Sequence, residues 1–142
     1  MDKRTKAPRQ WTLLAATAGP EPASRKVNLI IDIAKQLNAR LVVLYVILAL
    51  GSVPPSYWVE DGRKAIEIFK QAGKRESVDV RGVLVESEHI DSAILSTAED
   101  VGANMIILGV GRHSVLRHLL GGDFIEHIIY RSQRPVIIIP TL

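Results

Sequence analysis

The 142-residue chain contains no cysteine. Disulfides, thiolate zinc sites, cysteine-ligated iron–sulfur clusters and cysteine nucleophiles are excluded together, and the absence fits a reducing compartment. Long apolar runs are missing too. The longest, residues 41–50, has ten residues, against the roughly 20 that a membrane-crossing helix needs. No apolar segment follows the charged start Met-Asp-Lys-Arg-Thr-Lys, so a secretory signal is not expected and a cytoplasmic location is. There is no Gly-x-x-x-x-Gly-Lys-Ser/Thr, which excludes a P-loop enzyme, and Gly-x-Gly-x-x-Gly fails because Ser114 stands at its last position. Ser114, His118 and Asp123 are the residue types of a hydrolase triad, but they share one loop and no Gly-x-Ser-x-Gly elbow exists. His113, His118 and His127 have no zinc-ligand spacing. No catalytic residue and no metal ligand is assigned.

The charge excess is local. Lys and Arg number 18, Asp and Glu 15. Lys3, Arg4, Lys6 and Arg9, set against Asp2, account for the difference and leave 14 of each sign in the rest of the chain. Nucleic-acid binding calls for a basic face on the folded body, so it is not expected. Residues 1–9 read as a basic flexible tail. Residues 10–142 have the length of one domain, and an apolar content of 47% is enough for a packed core.

Within that domain, short apolar runs alternate with helical periodicity. Residues 11–16 form the first run, and Ala18-Gly19-Pro20-Glu21-Pro22 breaks it. Prolines so placed are tolerated at a helix entry. The helix that follows puts Val27, Ile30, Ile31, Ala34 and Leu37 on one stripe. Residues 41–48 are apolar without alternation, as in a strand covered on both faces. A second helix is predicted over about 58–75 on Ala65, Ile66, Phe69 and Ala72, and Val78, Val80, Val83 and Val85 mark a third strand. Ser87 is the expected N-cap of a third helix, with Ile90, Ile94, Ala98 and Val101 on its stripe and Gly102 at its end. A fourth strand spans 104–108, a long loop 109–120, a fourth helix about 122–131 and a fifth strand 136–139.

This β-α-β-α-β-α-β-α-β order predicts an α/β fold, a doubly wound five-stranded parallel sheet with helices on both faces. Ligands of such sheets lie beyond the carboxyl ends of the strands, where the winding reverses. The loops after Ala16, Val46, Val85 and Leu108 are therefore the ones to search. Trp58, near Pro54-Pro55, is expected to pack a loop onto the sheet rather than stack on a ligand base. The terminal apolar strand is expected at a sheet edge that a second copy would cover.

The segment from Gly109 to Phe124 follows a buried strand and opens a helix. Its glycines let backbone N–H groups approach an anion, the helix N-terminus adds a positive dipole end, and Arg112 and Arg117 add charge. On the residues alone this is either a phosphate cradle or a pair of chain turns.

The same segment resembles the signature of the universal stress protein family: a glycine, nine residues, then a second glycine, here Gly111 and Gly121. The strand at Leu41, Tyr45 and Val46 is similar to that family as well, as are Gly102-Ala103-Asn104-Met105-Ile106-Ile107-Leu108-Gly109 and Arg134-Pro135-Val136-Ile137-Ile138-Ile139. The resemblance covers nearly the whole chain. It implies the strand order 3-2-1-4-5 of the adenine nucleotide alpha hydrolase-like fold, and dimerisation through the last strand, Val136, Ile137, Ile138 and Ile139. It also implies ATP or AMP as ligand, with Mg²⁺ if ATP. Adenine would lie near Thr17, Val46 and Leu108, and phosphates on Gly109, Gly111, Arg112, Gly121 and Gly122, with Asp123 and Phe124 opening the helix behind them.

Three departures bear on that site. Thr17 stands where the ATP-binding members have Asp, Gly109-Val110-Gly111 is one residue shorter than their first glycine pair, and Gly122 replaces their Ser or Thr. The lost carboxylate and the lost hydroxyl are each worth roughly 1–3 kcal/mol if buried, together about a 30- to 20,000-fold change in affinity. Asp123 would repel phosphate unless a metal bridges it. Two functions are carried forward: an adenine-nucleotide-responsive stress-response module, and a nucleotide-free dimeric interaction domain, including one attached to a membrane transporter as a regulator. Slow ATP hydrolysis stays open, without an evident general base.

Overall fold

The computed structural model describes residues 9–51, 53–110 and 124–140. Five strands and four helices alternate among them: β1 Thr12–Ala16, α1 Pro20–Gln36, β2 Arg40–Leu48, α2 Ser56–Glu76, β3 Val80–Ser87, α3 Ile90–Val101, β4 Met105–Val110, α4 Phe124–Arg131 and β5 Val136–Pro140. The strands form one sheet in the order β3-β2-β1-β4-β5, all neighbours parallel. Winding reverses between β1 and β4, so the crevice a ligand would use opens there.

The unalternating β2 is buried on both faces because each face has its own helix layer. On one side Leu41 and Val43 meet α1 and α2 through Val27, Ile30, Ile31, Ala65, Ile66 and Phe69. On the other, Leu14, Val42 and Leu44 meet α3 and α4 through Ile90, Ile94, Ala98, Phe124 and Ile128. Both α1 and α2 bury the stripe their periodicity predicts, except that Leu37 is the C-cap of α1 and is exposed.

Three boundaries differ from the sequence reading. Helix α2 begins at Ser56, two residues before Trp58. Ser87 is not the N-cap of α3: it is the last residue of β3, paired with Leu48, and the cap position belongs to His89. The Ser87 hydroxyl still serves the turn, accepting from the His89 N–H at 3.1 Å. Finally, β4 does not stop at Leu108. Gly109 and Val110 continue it, paired with Ile139 and Pro140, so Gly109 is a strand residue and not the start of the loop. The pairing offered by β5 outweighs the low strand propensity of glycine.

Candidate functional site

A cavity of about 220 Å³ opens at the carboxyl ends of β1 and β2. Ala16, Thr17 and Ala18 form its β1 side, and Leu44, Tyr45, Val46 and Leu48 its β2 side. Ile90 and Ile94 of α3 close it from one layer, Trp58 and Asp61 of α2 from the other. The chain turns sharply beside it. Gly19 is the N-cap of α1 with φ 145°, a conformation side-chain-bearing residues avoid, and Pro20 supplies the pre-set first turn. Thr17 bridges this turn: its N–H donates to the Leu44 carbonyl at 2.9 Å and its hydroxyl to the Gly19 carbonyl at 3.3 Å.

The cavity wall is mainly apolar, with one carboxylate, Asp61. Tyr45 is buried against α2, where Gly62 leaves room for its ring. Burial pushes the Tyr45 phenol above its ordinary pKa, and the Asp61 charge adds to that. Trp58 is braced by an edge-on contact with Tyr57, ring centres 6.1 Å apart. A larger hollow of about 430 Å³ lies between α1 and α2, lined by Asn28, Leu29, Ile31, Asp32, Ala72, Arg75 and Glu76. Its lining comes from α1 and α2 alone, with no residue from the carboxyl end of a strand and no aromatic side chain. The smaller cavity is the candidate site because it lies at the carboxyl ends of the strands and takes in the end of β1, one of the two strands between which the winding reverses.

The profile of the universal stress protein family matches residues 12–140. The chain belongs to the universal stress protein family. No curated protein sequence matches it, but solved structures of universal stress proteins do. One from Burkholderia pseudomallei is 24% identical, with 92% of this chain and 96% of that one covered and a TM-score of 0.71. A universal stress protein in complex with cAMP is 25% identical over 94% of this chain and 98% of its own, TM-score 0.68. The universal stress protein from Archaeoglobus fulgidus in complex with dAMP is 17% identical over 92% and 98%, TM-score 0.66.

In this universal stress protein fold, Thr17 and Val46 meet at the cavity. Leu108 does not line it; it is buried between β1 and β5, paired with Ala16 and Ile138. Gly109 continues β4 one residue further on. Phe124, the first residue of α4, is buried in the core beneath α3. Gly111, Arg112, Gly121, Gly122 and Asp123 lie outside the described residues.

Three residues that sequence reasoning did not assign to a site stand close to it. Trp58 and Asp61 are three apart on α2, a spacing that places them on one helix face. That signal was present, but nothing in the sequence said which face looks at the strand ends. The third is Lys26 of α1, which lies against Gly109. Farther from the cavity, His127 of α4 donates from Nδ1 to Asp91 at 2.9 Å and ties α4 to α3. Burial acts to raise the Asp91 pKa, but the His127 hydrogen bond and the Ser92 N–H together hold it below its ordinary value. Among the described residues no cluster of three His, Asp or Glu side chains converges as a metal site, and no helix is long and apolar enough to cross a membrane.

Proposed function

We propose that this universal stress protein binds an adenine nucleotide, with the base in the cavity between Thr17, Val46 and Trp58. The supporting observation is that cavity: apolar, walled by one indole and one carboxylate, and set where a doubly wound sheet takes its ligands. About 220 Å³ is below the roughly 300–1,000 Å³ of pockets that enclose whole drug-sized ligands. It suits a base ring alone. Ribose and phosphates then extend past Thr17 towards Gly109 and onward to Gly111, Arg112, Gly121 and Gly122. Leu108 contributes by holding the end of β4 in place. The cAMP and dAMP complexes of related universal stress proteins support the same ligand class.

The nucleotide acts as a signal in this reading. It biases the 109–121 segment between two arrangements and so alters the surface offered to a partner in a cytoplasmic stress response. The chain works as a homodimer through β5, whose Ile138 is exposed at the sheet edge. Residues 1–9 serve as a basic tail outside the domain. The competing reading, a nucleotide-free interaction domain, gains support from the Thr17 hydroxyl, which is spent on its own turn rather than offered to the cavity.

One experiment separates the two. Small molecules released by denaturing the fresh protein are identified by mass, and ATP, ADP, AMP and cAMP are titrated calorimetrically with and without Mg²⁺. A bound adenine nucleotide, or micromolar affinity, is the expected result. Clean protein with flat titrations refutes the nucleotide reading.

A further inference from the structure

Gly109 is where β4 reaches the crevice. By register it stands beside Thr17, one residue beyond the Ala16–Leu108 pair, with Ile139 on its other side. A methyl group built on it would lie 2.5 Å from Lys26 Nζ, 2.6 Å from Cδ and 2.8 Å from Cε. The lysine stem therefore lies across the bare backbone of Gly109, with its ammonium beside it. The sequence alone suggests that this glycine exposes N–H groups to an anion. In the structure its missing side chain makes room for a cation.

Val27, the next residue of α1, is in the core, so the helix cannot turn Lys26 far from this place. Val46 on β2 and Gly109 on β4 are separated by β1, two strand spacings or about 9.5 Å. A nucleotide bridges that kind of gap between its base and its 5′-phosphate.

We propose that Lys26 is a phosphate-binding residue of this chain, receiving the 5′-phosphate of a nucleotide whose base occupies the Trp58 cavity. The proposal rests on the nucleotide reading above and deepens it. It supplies a cation from α1, a helix to which the sequence reading assigns no phosphate contact. Charge supports it independently. Burial lowers the Lys26 pKa; Glu21 offsets this in part, and Arg25 adds to it. An ammonium kept partly out of water gains more from a phosphate than a solvated one does.

The test compares adenosine with AMP, by calorimetry at one ionic strength, for the wild type, Lys26→Met, Gly109→Ala and the double variant. Methionine keeps the apolar stem and removes the charge. Alanine at 109 keeps the lysine but pushes its flexible end away, so it reads the same contact should Lys26→Met fold poorly. The wild type is expected to prefer AMP. Either single substitution should cut that preference roughly ten- to hundredfold, and Gly109→Ala should add nothing once Lys26 is gone. A Lys26→Met protein that keeps the wild-type preference overturns the proposal. So does a wild type that binds adenosine and AMP equally, which leaves the base site standing. A wild type that binds neither overturns both readings.

Discussion

Gly62→Ala tests the geometry of the cavity wall. A Cβ at this position would sit 2.6 Å from Tyr45 Cδ1 and from Leu84 Cδ2, and 3.0 Å from Tyr45 Cε1. Carbon atoms in good contact are about 3.5–4 Å apart, so the methyl intrudes by roughly 1 Å on two side chains. Those two are register partners on β2 and β3, and neither can retreat through the other. Overpacking of this kind costs about 1–3 kcal/mol. Replacing glycine by alanine inside a helix returns about 0.8–1 kcal/mol. The expected net is a loss of about 1 kcal/mol in urea unfolding of the nucleotide-free protein. The open direction for the Tyr45 ring is the cavity it lines. AMP affinity measured by calorimetry should therefore fall more steeply than stability does. A variant about 1 kcal/mol more stable than wild type, with unchanged AMP affinity, would refute the reasoning, since it would show the full helix gain with no collision behind it.

The other predictions concern contacts away from the base. Arg134 donates from Nε to the Ala103 carbonyl at 2.6 Å, from Nη1 to the Ser132 carbonyl at 3.2 Å and from Nη2 to Glu99 at 3.0 Å. Because Glu99 is well exposed, urea unfolding should show Glu99→Gln costing under about 0.5 kcal/mol and Arg134→Met about 2 kcal/mol; equal losses would contradict this. Asp91→Asn should destabilise the protein at neutral pH. A carboxylate whose folded pKa is depressed contributes stability above its unfolded pKa and loses it as pH falls through the folded value. The gap between wild type and Asp91→Asn should thus close below the ordinary carboxylate range, and a gap that persists there would exclude ionisation as its cause. Ile138→Asp should turn a dimer into a monomer in sedimentation; a variant that still sediments as a dimer places the contact elsewhere than β5.

Much of the fold is written in local periodicity. Leu41 to Leu44 carry no polar face, and such a strand is stable only with cover on both sides, which dictates a parallel sheet between helix layers. The stripes of α1 and α2 follow equally from 3.6-residue spacing. Even the resemblance that implied the strand order rests on short runs, such as the apolar closing strand after Pro135. The boundaries were harder, because pairing across the sheet decides them. Leu48 holds Ser87 in β3 although serine is a good cap, and Ile139 holds Gly109 in β4 although glycine is a poor strand former.

The candidate site divides along the same line. Thr17 and Val46 could be named in advance because the family resemblance marks them, and the loops beyond the strands are where such sheets bind. Asp61 and Lys26 could not, and for Trp58 the sequence favours packing over stacking on a base. Periodicity assigns a residue to a face of its own helix, but the sequence does not state how each helix is rotated and set against the strand tips. Core packing settles that: Phe69 and Ile66 seat α2 so that Trp58 and Asp61 reach the cavity, and Val27 and Ile30 seat α1 so that Lys26 lies across Gly109. The sequence by itself determined the layers and the end of the sheet at which to look. Only tertiary packing decided which side chains meet there, because their meeting depends on distances between elements far apart in the chain.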